Sequence, residues 1–134
     1  MRNRLLLVEE EEGALALSIP SSNVVVSRVR GIFSREMARR WIEVMRPRTQ
    51  SGVVFETFMD WELMSSYDSD ARRQLTSWVV GSHRSFARGA HCLVGSKIVA
   101  MGIATAGLSF ALVGVSLTAY ANRTKFETAL AAAL

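Results

Sequence analysis

One cysteine, Cys92, stands among 134 residues, so no internal disulfide can form. Beside it are two histidines, His83 and His91, and spacing alone builds no metal-binding motif from these three. There is no glycine-rich phosphate loop, internal repeat or linker, and no low-complexity stretch apart from the glutamate run Glu9–Glu12. The two prolines, Pro20 and Pro47, stand where regular elements are expected to stop. Leu5–Val8 is basic on its upstream side like a signal peptide, but it meets the acidic run after four apolar residues, too few for a signal core. The expected compartment is the reducing cytoplasm.

What is present suits a single globular core: 49% hydrophobic and 21% charged residues. The net charge of +4 is unevenly spread. Arg2, Arg4 and the four glutamates precede residue 13, and the remainder carries 14 basic against 8 acidic residues. Such a body could meet an anionic surface or an acidic partner, but an arginine excess of this size is more often found on domains with neither. The division expected is a segment 1–12, holding the acidic run and an optional edge strand at Leu5–Val8, and one domain over 13–134.

Along the chain, Ala14–Ser18 and Val24–Arg30 read as strands around the turn residues Pro20–Asn23. Ser34 caps a helix to about Arg46, with Met37, Trp41, Val44 and Met45 on one stripe. Gly52–Met59 is the third strand, and Asp60–Tyr67 is a loop or an extension of it. Asp68 caps a helix to about Phe86, with Ala71, Leu75, Trp78, Val79, Ser82 and Phe86 inward. Ala90–Val94 suits a central strand covered on both faces. Ser96 caps a very apolar helix to about Phe110, Gly114 breaks it, Val115–Tyr120 alternates as the last strand, and Asn122 caps a final helix with Phe126 and Leu130 inward. Strand and helix alternate after the opening hairpin, which predicts an α/β fold: a mostly parallel sheet of about five strands with about four helices. The uncharged stretch Ile98–Leu117 has the length of a membrane span, but it also reads as a buried helix, a glycine break and a strand.

The hairpin Gly13–Arg30 with Gly31-Ile-Phe-Ser34 after it, Phe55–Asp60, His91–Ser96 and the closing Leu117–Leu130 together resemble the STAS or SpoIIAA-like fold of bacterial anti-sigma-factor antagonists over about residues 13–132. The resemblance implies a regulatory, non-enzymatic module that binds a protein partner. It also implies a serine or threonine switch at the start of the helix after the third strand, in an Asp-Ser-x-Gly setting. The matching stretch Asp60–Asp70 holds Ser65, Ser66 and Ser69 with no glycine after any of them. Its greater length resembles the SpoIIAA-like branch related to CRAL-TRIO lipid-binding folds, which holds apolar ligands.

The candidate partner interface is Asp60, Trp61, Leu63, Met64 and Tyr67: apolar side chains in a loop at the carboxyl end of a strand, where open α/β sheets place their crevices. Ser65 and Ser66 are candidate phosphoacceptors near a helix N-terminus. Asp60 and Glu62 read as solvated loop charges, and Trp61 as an exposed loop tryptophan. His91 and Cys92 read as packed in the core, and neither histidine has an acidic or hydroxyl partner at informative spacing, so no catalytic residue and no cofactor are expected. Arg39, Arg40, Arg46 and Arg48 read as a solvated face; without aromatic interleaving they predict no nucleic-acid binding. The alternative function is a lipid-binding or membrane-associated protein using 98–117. A homo-oligomer is compatible with the sequence.

Overall fold

The structure is a computed structural model, and it describes residues 4–134. Residues 1–3 of the N-terminal segment lie outside the described residues. Among the described residues six strands form one sheet in the order of the chain. β1 (Arg4–Glu10), β2 (Gly13–Ser21) and β3 (Val24–Phe33) pair antiparallel, and β3, β4 (Glu56–Tyr67), β5 (Ala90–Val94) and β6 (Leu117–Tyr120) pair parallel. The optional segment Leu5–Val8 is therefore a full edge strand, and the sheet has six strands instead of about five. Its alternation explains this: Leu6 and Val8 point into the core and Leu7 points out. The glutamate run supplies the end of β1 and the hairpin turn. That turn lies against β3, where Gly31 takes φ +70° and a Cβ would sit 2.2 Å from the Glu12 carbonyl oxygen, so the position needs glycine.

Four helices fill the crossovers and the C-terminus: α1 (Arg35–Gln50), α2 (Ser69–Gly81), α3 (Lys97–Leu112) and α4 (Arg123–Ala133). The four expected capping residues all cap. Ser34 Oγ accepts Met37 N–H, Asp68 accepts Asp70 and Ala71 N–H, Ser96 Oγ accepts Val99 N–H, and Asn122 accepts Lys125 N–H. The first three helices cover one face, where Leu15, Leu17, Val25, Met59 and Cys92 meet Met37, Trp41, Leu75, Val99 and Ile103. The alternate residues Val24, Val26, Phe58 and Leu93 face the other way and are met by Phe126 of α4.

Several boundaries differ from the sequence reading. α1 continues through Pro47, because in the last turn proline removes only one N–H, and the carbonyls of Pro47 and Arg48 are met by the N–H of Ser51. The chain over 52–55 is a connection, with β4 beginning at Glu56. The second helix stops at Gly81 and a separate 3-10 turn, His83–Phe86, carries Phe86 into the core. Trp78 and Val94, expected to be buried, are only partly covered; Trp78 lies edge-on to Phe86 at 5.2 Å. The stretch 98–117 divides into α3, a turn with Gly114 at φ +78°, and β6. Among the described residues no helix is long and apolar enough to cross a membrane.

Candidate functional site

Of the two readings of Asp60–Tyr67, loop or strand extension, the extension holds: these residues are the last eight of β4, a strand of twelve. Two register shifts against β3, at Arg28/Arg30 and at Gly31/Ile32, re-aim its side chains and break the regular alternation. The structure therefore separates the residues expected to form one surface. Trp61 is buried at 6% exposure, packs against Phe33 at 5.7 Å and Trp41 at 6.1 Å, and donates its indole N–H to Ser27 Oγ at 3.2 Å. Met64 is buried in the same cluster, and Tyr67 is half-buried with its ring over Gly102 of α3. Burial removes Trp61 and Met64 from any contact surface of the folded domain. Leu63, on the opposite side of the sheet, is 68% exposed. Ser65 and Ser66 lie in the strand, and the N-terminus of α2 is already occupied by the Asp68 carboxylate.

Asp60 is buried and paired, not a solvated loop charge. Arg123, the first residue of α4, binds it with two nitrogens at 2.8 and 3.2 Å, and Arg28 Nε donates to it at 3.2 Å. The same guanidinium donates to Glu62 at 2.9 and 3.0 Å and to Glu127 at 3.1 Å. Hydrogen bonds to Asp60, Glu127 and Glu62, in that order of weight, hold Arg123 above its ordinary range. The pairing follows from the ladder, which sets Asp60 beside Leu93 and Leu93 beside Tyr120, so a residue shortly after Tyr120 reaches back across β5. Sequence reasoning missed Arg123, since nothing local links positions 63 residues apart.

α4 covers only part of its face. Beside it the outer side of β1–β3 is open, and a groove of about 400 Å³ runs there, with Leu7, Ala14, Ala16 and Leu63 on its floor and Arg30 and the Arg28–Asp60–Arg123 cluster along it. On the helix-covered side lies an apolar cavity of about 60 Å³, bordered by Trp61, Met64, Tyr67, Leu75 and Ile103. That is about the volume of two waters, far below an acyl chain.

A second polar cluster was also missed. His91 Nε2 and Glu56 Oε2 are 2.7 Å apart, and His91 Nδ1 and the Tyr120 hydroxyl are 2.7 Å apart, with the imidazole stacked on Phe58 at 4.3 Å. Glu56, His91 and Tyr120 thus form one hydrogen-bonded run across the sheet. Burial, and then the charge of Glu56, raise the Tyr120 phenol above its usual value. This chain ties β4, β5 and β6 together. The Cys92 thiol points to the opposite face, and burial followed by the charge of Asp60 pushes it well above the ordinary thiol range. On α1, Arg39 is bound to Glu36 and Glu43 and is not a free cation. Among the described residues, no group of three or more His, Cys, Asp or Glu could hold a metal ion.

A six-stranded α/β sheet with three helices on one face and a C-terminal helix on the other is the SpoIIAA-like fold. Two solved structures carry this comparison. A protein of the DUF3478 family with a SpoIIAA-like fold, from Shewanella loihica PV-4, superposes with a TM-score of 0.64 at 6% identity, over 92% of this chain and 97% of that one. The anti-sigma factor antagonist SpoIIAA in its unphosphorylated form superposes with a TM-score of 0.59 at 16% identity, over 87% and 96%. No protein-family model matches the sequence, and no curated protein matches it.

Proposed function

We propose that this domain acts by docking a protein partner and not by catalysis, through the carboxyl-terminal half of β4, the open groove beside it and the start of α2. Leu63 carries the reading. Leu63 is 68% and Leu7 41% exposed, and together they line the floor of a groove whose charges are already arranged by Arg28, Asp60 and Arg123. An apolar contact framed by fixed charges gives a partner both affinity and register. The solved neighbour SpoIIAA is named for antagonising an anti-sigma factor, a protein target, which agrees with this use of the fold. The interface thus keeps Leu63 from the expected set and loses the buried Trp61 and Met64, while Asp60, itself buried, acts through the arginines it holds in place. Its test is Leu63→Glu: the thermal midpoint stays at the wild-type value, and recovery of a partner from lysate of the source cells drops at least tenfold. Undiminished recovery by the folded variant places the interface on another face.

A further inference from the structure

Helix α3 is apolar on every side, and a helix of that kind is normally covered on every side. In this domain it is not. Val99, Gly102, Ile103, Ala106 and Phe110 are buried against the sheet and α2, while Ile98 is 57%, Met101 70%, Leu108 74% and Leu112 88% exposed. With Thr105, also exposed, these fall at 98, 101, 105, 108 and 112, the alternating three-and-four spacing of a coiled-coil seam over two heptads. Thr105 Oγ1 donates to the Met101 carbonyl at 3.0 Å, so its hydroxyl proton is used within the helix. The positions flanking the seam include Ala104, Ser109 and Ala111, small enough to let another helix approach closely. No charge occurs between Lys97 and Arg123, and β6, the sheet edge next to this helix, belongs to the same uncharged stretch.

We propose that α3 is a homodimer seam, in which the exposed stripe of one copy packs against the same stripe of a second. Three observations favour a second copy as the occupant. A 3-4 stripe is complementary to another stripe of its own spacing, which an isologous two-fold contact supplies without a different partner. The face is neutral on a molecule of net charge +4, so two copies meet here without the repulsion they would feel elsewhere, and there is no charge to select an unlike partner. A helix lying on a membrane surface carries lysine and arginine along its polar face, whereas α3 has one lysine, at its first residue, and buries its other faces in the domain. The area sets the strength. At about 100 Å² of apolar surface per aliphatic side chain, the four exposed chains bring about 300 Å² from each copy. A pair then buries about 600 Å² through them, against about 1,200 Å² for a standard stable interface. Ala104, Thr105, Ala111 and the exposed part of β6 add to this. The dimer is therefore weak and dependent on concentration.

Sedimentation equilibrium from about 1 to about 300 μM, a span that brackets micromolar affinity, tests it. The wild type is expected to pass from monomer to dimer across the range. Leu108→Glu is expected to stay monomeric throughout at an unchanged thermal midpoint, and Val54→Glu, an equally apolar-to-charged change at an exposed site away from α3, to dimerise as the wild type does. Thr105→Cys gives a second measurement that does not depend on tolerance of a charge: position 105 is the centre of the stripe, where a two-fold contact brings the two copies of one residue together, and oxidation is expected to yield a disulfide-linked dimer, since the native Cys92 is buried and unavailable. A wild type that stays monomeric to the top of the range overturns the proposal, as does a Leu108→Glu variant that dimerises normally. Binding of a monomeric wild type to vesicles of mixed phosphatidylcholine and phosphatidylserine, lost in Leu108→Glu, overturns it in favour of a lipid surface.

Discussion

Replacing Trp61 with alanine tests the correction that most alters the reading of this chain. A loop tryptophan would leave stability almost untouched; a tryptophan inside the sheet–helix core would not. In the structure its ring is enclosed by Phe33 and Trp41, and its N–H is held by Ser27. Truncating a buried aromatic to alanine costs about 3–5 kcal/mol from lost transfer energy and the cavity left behind. Ser27 Oγ also loses its donor, though a water entering the enlarged cavity would recover part of that. The expected loss is about 4 kcal/mol, a large share of the 5–15 kcal/mol that holds a domain of this size. Urea unfolding followed by far-ultraviolet circular dichroism is the suitable assay, because the substitution removes one of the three tryptophan fluorophores. Trp61→Phe should lose about half as much, keeping the ring contacts and forfeiting the hydrogen bond. A loss below 1 kcal/mol for Trp61→Ala would refute the burial and restore the exposed-loop reading.

Gly31→Ala should cost about 2 kcal/mol or more, since it forces a side chain into φ +70° and onto the Glu12 carbonyl; a thermal midpoint equal to wild type would show that the β1–β2 turn does not sit against β3. The Cys92 thiol should react with a thiol reagent only as fast as the domain opens, because burial both shields it and disfavours its thiolate; immediate stoichiometric labelling of the native protein would contradict this. Burial and the Glu56 charge raise the Tyr120 phenol in the folded state, so its contribution is fully present below the unfolded value near pH 10 and is lost as the pH rises through the folded value. Tyr120→Phe should therefore flatten the fall of stability above about pH 10, and an unchanged slope in alkaline denaturation would show that the phenol is not protected.

The parts of the fold that were legible are those written in local chemistry. A side-chain oxygen followed by an apolar period of 3.6 marks the start of a helix whatever surrounds it, and Ser34, Asp68, Ser96 and Asn122 all act this way. Val24–Arg30 and Ala90–Val94 were visible for the same reason, being short, β-branched or continuously apolar. The last part of β4 was legible only as one of two alternatives, loop or strand extension. Its sequence, Asp-Trp-Glu-Leu-Met-Ser-Ser-Tyr, follows no period of two, because the bulges against β3 turn successive residues to faces that a regular strand would not give them. Pro47 misled in the other direction, since near a helix C-terminus the missing N–H costs little.

The site was illegible for a deeper reason. Two acidic residues flanking a tryptophan look like solvated loop because, locally, nothing neutralises them. Here the neutralising charges come from Arg28 on the neighbouring strand and Arg123 on the last helix, brought in by the ladder β3–β4–β5–β6. Leaving Asp60 without them would strand a buried carboxylate, a far larger cost than the pair itself returns. The cluster thus also helps to anchor the start of α4: Arg123 is its first residue, just after the Asn122 cap, and Phe126, one turn on, lies against Phe58 at 5.9 Å. Arg123 and Asp60 also line the groove beside Leu63, so the same anchoring stands at the boundary between the covered and the open sheet. A charge cluster that reads as surface decoration in the sequence is, in the folded domain, one wall of the proposed docking site.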